Sequence, residues 1–349
     1  LFDPSITTGP TVILPASLFI PVHPLAPRMI MVMYGIALIV TVYRWYMLSL
    51  LHVLTWLLAI MVLPHAPMYL THVLGEIPGL FFVVIGYVAC LKKRLIWGGL
   101  LIGLAILTKQ LYILAIIPLV LTRQWKVAIV ALIPTALWQI LLCAWTPGDG
   151  YGGITRALAW PRPDMFMLRL SMIGRELHVS PLVWLLASYM IWTYGATQKR
   201  TQALSMFCWT YGTYYLLLYS NYSYRTLFPL LVATVIIGVS LLSRRHTLAL
   251  LITVSIFFII FRPQEIEIVT YHQQKELGDF VHSREGVISG CGWQSAPELS
   301  YLAQRRINRE VTGSTQYYIT TRHVSDCALP PFPAKRLRCN PQHCVYQKL

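Results

Sequence analysis

From residue 26 to residue 262 apolar runs succeed one another with brief interruptions. They fall at roughly 26–43, 47–63, 77–90, 95–108, 111–122, 126–145, 181–196, 202–219, 226–242 and 247–262. Such a succession is too apolar for an ordinary soluble protein. The composition agrees, with 56% hydrophobic residues, 12% charged residues and a mean hydropathy of +0.59. The reading is an all-α polytopic transmembrane bundle of about ten visible spans. Several runs are shorter than the ~20 residues of a straight crossing. The stretch 95–122, with Lys109 at its middle, reads as a re-entrant hairpin or as two thin spans. The chain opens on Leu1-Phe2-Asp3-Pro4, a loop already in progress, so a first transmembrane helix is expected upstream.

Charge is as unevenly distributed as hydropathy. The net charge is +15, from 28 Lys+Arg and 13 Asp+Glu. Residues 1–262 hold 18 of the 28 basic side chains and only five acids: Asp3, Glu76, Asp149, Asp164 and Glu176. Residues 263–349 hold the other ten basic side chains against eight acids. The excess therefore belongs to the membrane region, and no basic stripe on a soluble face supports nucleic-acid binding. One set of alternate connections carries Arg44, Lys92-Lys93-Arg94, Arg123 with Lys126, Lys199-Arg200 and Arg244-Arg245, without any acid. The positive-inside rule makes this set cytoplasmic. All five acids fall on the opposite, outer set: residues 1–25, the 64–76 loop, the Lys109 turn, the 146–180 loop and the 220–225 loop.

Glu76 is the residue with the clearest chemical implication. It opens the apolar run Glu-Ile-Pro-Gly-Leu-Phe-Phe-Val-Val-Ile-Gly, and a carboxylate at bilayer depth is costly enough to suggest function. The bland alternative is a helix-start carboxylate that complements the helix dipole. His72, one helical turn earlier, either orients Glu76 or is an interfacial histidine. Outer cations defy the orientation rule: Lys109, Arg156, Arg162, Arg169, Arg175 and Arg225. Singly they read as snorkelling residues; together they suggest a site for an anionic ligand, since Arg can grip phosphate with two hydrogen bonds. Asp149 lies in a glycine-rich turn, and Tyr214, Tyr215, Tyr219, Tyr222 and Tyr224 read mainly as an interfacial belt.

Residues 263–349 read as a soluble appendage, a small α/β unit. Strands are expected at 287–290 and 316–321, with a helix starting near 297–303. Cys291, Cys327, Cys339 and Cys344 favour one or two disulfides in an oxidising compartment. Zinc, with His343 nearby, is the rival reading, though no Cys-x-x-Cys pair supports it. Cys90, Cys143 and Cys208 lie in spans and read as packing residues.

The segment Ile6-Thr7-Thr8-Gly9-Pro10-Thr11-Val12-Ile13-Leu14-Pro15 resembles the first outer loop of GT-C glycosyltransferases. Ala26-Pro27-Arg28, Gly75-Glu76-Ile77-Pro78, the segment from Gly103 to Lys109 and Tyr224-Arg225-Thr226-Leu227-Phe228-Pro229 fit the same series. These are multi-spanning enzymes that use polyprenyl- or dolichyl-phosphate sugars, among them the protein O-mannosyltransferases and the lipid A aminoarabinose transferase. The resemblance covers residues 1–262, a transmembrane catalytic domain with outer loops 1–25, 64–76 and 146–180, followed by an extracytoplasmic domain at 263–349.

The resemblance implies a first-loop acid that acts as base or orients the acceptor. Here that acid is Asp3, unless it lies upstream of Leu1. It implies a second acid at Glu76. Lys109 and Arg225 would hold the carrier phosphate, with Arg156, Arg162 and Tyr224 also near substrate. A single displacement would invert the anomeric centre. The expected activity is transfer of a sugar from a polyprenyl-phosphate donor to an extracytoplasmic acceptor, whether lipid, glycan or protein, in a bacterial inner membrane. The partners are that donor, the acceptor and membrane lipids. The sequence requires no cofactor and leaves a divalent metal open. The rival reading is a transporter or lipid flippase, which would call for charges deep within spans and paired broken helices.

Overall fold

The structure, a computed structural model, describes residues 10–19, 26–47, 49–63, 66, 75–145, 166–177, 179–218, 224–260, 271–290, 303, 307, 313–321, 330–339 and 343–349. The chain divides into two compact units, Leu1–Gln264 and Glu265–Leu349.

The described part of the first unit is helical. In order it holds α1 (Pro10–Phe19), α2 (Ala26–Trp45), α3 (Leu50–Val62), α4 (Glu76–Leu91) and α5 (Leu95–Thr108). A 3-10 segment (Gln110–Ala115) leads into α6 (Ile116–Leu121). There follow α7 (Trp125–Trp145), α8 (Phe166–Leu177), α9 (Pro181–Thr197) and α10 (Gln202–Thr213). A π-helical segment (Tyr214–Leu218) ends that helix, and α11 (Tyr224–Leu241) and α12 (Arg244–Ile260) complete the unit. Two of these lie in segments read from sequence only as outer loops: α1 within 1–25 and α8 within 146–180.

The centre of the unit is formed by α4, α5 and α11, around Tyr87, Ile102, Phe207, Phe228 and Ile236. Glycines set the spacing of this centre. Gly99 and Gly103 lie one turn apart on α5, and a Cβ built on them would meet the Val127 carbonyl at 2.8 Å and the Ala131 carbonyl at 2.6 Å. The small-residue stripe lets α7 approach backbone to backbone, as membrane helices do where tight van der Waals packing replaces hydrophobic drive. The outward faces of α2, α7 and α9 remain apolar: Met33, Ile36, Ile129, Ile140, Leu182 and Met190 are all exposed. Among the described residues one helix is long and apolar enough to cross a bilayer alone, over Arg28–Trp45, and the other apolar helices are shorter.

The second unit holds α13 (Tyr271–His282) and four strands, β1 (Val287–Gly290), β2 (Thr315–Thr321), β3 (Ala334–Cys339) and β4 (His343–Lys348). Their order in the sheet is β1-β2-β4-β3; β1 runs parallel to β2, and the other pairs are antiparallel. Leu277 and Val281, one turn apart on α13, pack with Ile288, Ile319 and Val345. Cys339 and Cys344 face each other across the β3–β4 ladder and form a disulfide. Both expected strands are found. The helix expected near 297–303 lies outside the described residues, as do Cys291 and Cys327.

Candidate active site at one end of the bundle

Side-chain contacts assign each helix end to one of two ends of the first unit. Lys92, after α4, lies 3.8 Å over the Trp45 ring at the end of α2. Helices α5 and α7 run parallel, Gly99 against Val127 and Gly103 against Ala131, so the turns at 92–94 and 122–124 adjoin. His52, in the first turn of α3, hydrogen-bonds to the Leu242 carbonyl through Nε2 (3.2 Å), bringing in the turn before α12. Gly195 of α9 packs on Ser205 of α10 and Ile237 of α11, which adds the turn at 198–201. The five acid-free basic connections thus share one end.

The N-terminus of α4 and the C-terminus of α5 meet at the other end. Glu76 is the first residue of α4, and Gly75 before it provides no side-chain cap. The Glu76 side chain reaches across to α5. It is fully buried, and Oε1 accepts a hydrogen bond from Lys109 Nζ at 2.5 Å, with Lys109 only 9% exposed. Lys109 is the extended residue (φ −156°, ψ 123°) between α5 and the 3-10 segment. One turn later, Tyr112 donates its hydroxyl to the Glu76 backbone carbonyl. Tyr112 stacks on Phe207 of α10 with ring centroids 6.2 Å apart. On the same helix, Tyr211 donates to the Thr226 carbonyl at 2.7 Å in the first turn of α11. That turn carries Tyr224 and Arg225 on its backbone. From the other side, Thr11 of α1 shares a 2.6 Å hydroxyl–hydroxyl bond with Thr108, and Tyr34 donates to the Thr11 carbonyl at 3.1 Å.

Of the residues proposed from sequence, Glu76 and Lys109 are therefore brought into direct contact. The side chains of Tyr224 and Arg225 lie outside the described residues, and so do Asp3, His72, Asp149, Arg156 and Arg162. Two readings change. Arg169 is no snorkelling or ligand-facing cation: it is fully buried on α8, and Nη1 donates to the Leu216 carbonyl in the π-helical segment at 2.6 Å. Tyr215 is fully buried in the core rather than part of an interfacial belt. Thr11 and Thr108 lie within segments that carry the resemblance but have no role assigned from sequence, and Tyr112 lies outside them. Tyr112 carried a signal, since it follows Lys109 by one 3-10 turn and requires the bare Cα of Gly79, where any Cβ would strike its ring. Among the described residues no group of three or more His, Cys, Asp or Glu side chains is arranged to hold a metal ion.

This arrangement combines a buried carboxylate, a lysine held against it and a neighbouring helix start that bears an arginine. It lies within the part of the chain that matches a known family: the profile of glycosyltransferase family 87 covers residues 9–261. The chain belongs to glycosyltransferase family 87. The fold of this family 87 protein is similar to that of ArnT from Cupriavidus metallidurans. A crystal structure of that protein bound to undecaprenyl phosphate aligns with a TM-score of 0.52 and 13% identity, covering 97% of this chain and 87% of the other. Its apo structure aligns with a TM-score of 0.54 over the same coverage. No protein of curated function matches the sequence.

Proposed function

We propose that this family 87 protein transfers a sugar from a polyprenyl-phosphate carrier to an extracytoplasmic acceptor, and that the Glu76–Lys109 pair lies in its active site. The observation that carries the reading is the buried contact between these two residues, at the end of the bundle opposite the basic turns. The fold shared with ArnT, whose structure holds undecaprenyl phosphate, supports a lipid-phosphate donor. The acid-free basic end supports an orientation with that end cytoplasmic and the pair facing outward. A bacterial inner membrane is the setting this implies.

A rise of ~1.5 Å per residue makes α4 about 24 Å and α5 about 21 Å long, short of a hydrocarbon layer of ~30 Å. The pair would then lie in a recess below the outer surface, with the 95–122 stretch forming a re-entrant hairpin from the basic end. In such a recess a lone charge is costly, so the resting site keeps carboxylate and ammonium together.

When a lipid-phosphate sugar enters, its phosphate competes for Lys109, with Arg225 as the second cation. Glu76 is then released to accept a proton. The acceptor oxygen or nitrogen attacks the anomeric carbon, its proton passes to Glu76, and the bond from the anomeric carbon to the phosphate oxygen breaks. The polyprenyl phosphate leaves as a monoester whose charge Lys109 and Arg225 offset. A single displacement inverts the anomeric centre. Asp3, or an acid upstream of it, would orient the acceptor, with His72, Arg156, Arg162 and Tyr224 near the substrate.

The experiment that tests the donor class is thermal unfolding of the purified protein with added polyprenyl phosphate, the product. Polyprenyl phosphate is expected to raise Tm for the parent and not for Lys109→Gln. Equal stabilisation of both, or of neither, contradicts the assignment.

A further inference from the structure

The basic end carries an arrangement that setting the protein's orientation does not require. The turns at 92–94 and 122–124, side by side because α5 and α7 run parallel, expose Lys92, Lys93, Arg94 and Arg123, and the first turn of α7 adds exposed Lys126. No acid stands in either turn or in the first turns of the helices that follow. Beside the same turns Trp45, Trp97 and Trp125 are exposed, at 37%, 64% and 57%. Exposed tryptophans amid lysines and arginines match the chemistry of a lipid headgroup layer, in which the indole lies among glycerol and carbonyl groups while cations reach phosphate. A soluble polyanion would account for the cations but not for apolar indoles bordering the lipid-facing sides of α2, α5 and α7.

We propose that this end is a binding face for anionic phospholipid headgroups, centred on the two adjoining turns. The orientation rule needs only a charge excess; this face adds a concentration of cations and tryptophans on neighbouring helices, so bound anionic lipid would brace the α4–α5 and α6–α7 turns. The proposal rests on the placement of the chain in a membrane, not on the sugar-transfer chemistry. Its test therefore reads stability and bound lipid instead of activity.

The full chain is reconstituted in nanodiscs of phosphatidylcholine, with and without a fraction of phosphatidylglycerol. Thermal unfolding is followed, and lipid retained by the detergent-extracted protein is identified by native mass spectrometry. Phosphatidylglycerol is expected to raise Tm and to be retained in preference to phosphatidylcholine. In a variant with all five cations changed to glutamine both effects are expected to disappear. Lys93→Gly with Arg123→Gly serves as a second variant that keeps both turns: it should be at least as stable as the parent in phosphatidylcholine, yet show a smaller phosphatidylglycerol shift. Three results overturn the proposal: no shift in the parent, an undiminished shift in either variant, or an equal Tm rise in neutral detergent from inorganic phosphate or an RNA oligonucleotide. The last would reassign the face to soluble anions.

Discussion

Glu76 and Lys109 stand 33 positions apart and touch because α4 and α5 form an antiparallel pair whose far ends coincide. At the residue scale their mutual burial governs what substitution does. Removing one partner strands a charge in a water-poor interior, at a cost of about 3–5 kcal/mol. Removing both leaves no charge to strand. Glu76→Gln and Lys109→Met are each expected to lower Tm, and the double variant to lose markedly less than the sum, as measured by a double-mutant cycle in thermal unfolding. Additive losses would mean that the pair is not coupled. Gly79 tests the neighbouring contact. Its bare Cα admits the Tyr112 ring, so Gly79→Ala is expected to destabilise by about 1–3 kcal/mol through overpacking, seen as a lowered Tm. Sequence alone marked Glu76, because an isolated acid in an apolar run is conspicuous. Lys109 is marked as a cation for phosphate, and its contact with Glu76 is what the structure adds. Pairing across a hairpin depends on which helices neighbour each other, and that information is not local.

At the scale of elements, helix limits were legible wherever a basic cluster closed an apolar run. The runs at 77–90, 95–108 and 181–196 correspond to α4, α5 and α9 within a residue or two. The helices α1 and α8 were missed for opposite reasons. Prolines at positions 10 and 15 make α1 read as a loop, and α8 is an amphipathic segment whose polar residues hid its helical period. The turns after α4 and α6 share one form. Lys93 (φ 62°) and Arg123 (φ 60°) take the left-handed conformation that glycine usually supplies, while the amides of Arg94 and Gln124 close back on the carbonyls of Ala89 and Leu119 at 2.9 and 2.8 Å. A side chain at such a position costs about 1 kcal/mol relative to glycine. Lys93→Gly and Arg123→Gly should therefore each raise stability by that order in uncharged detergent, and a fall in Tm would contradict the geometry. In the second unit the β3–β4 disulfide closes a short hairpin, its cysteines five positions apart in sequence. Cys339→Ala with Cys344→Ala is expected to cost about 2 kcal/mol by chain-entropy reasoning. Limited proteolysis near residue 340, faster in the variant than in the parent, would report that loss.

For the whole molecule, the charge map was the most informative reading available from sequence. It sorted connections into two sets, and the helix contacts bring all five acid-free connections to one end, with Glu76 and Lys109 at the other. Alternation of spans makes this legible, since each crossing reverses direction and a basic connection marks every second one. The number of crossings is a different matter, because helices as short as α5 and α6 can turn back within a layer that α2 is long enough to cross. Membership of glycosyltransferase family 87 gives the class of chemistry, and the likeness to ArnT gives the fold. The most direct measurement is transfer of label from a radiolabelled polyprenyl-phosphate sugar by the purified, reconstituted protein, with Glu76→Gln alongside. The expected result is release of polyprenyl phosphate with label passed to an acceptor by the parent, and transfer by Glu76→Gln lower by about 100-fold or more, the scale of a lost general base. Transfer undiminished in Glu76→Gln, or a parent that neither binds nor consumes any such donor, would contradict the account.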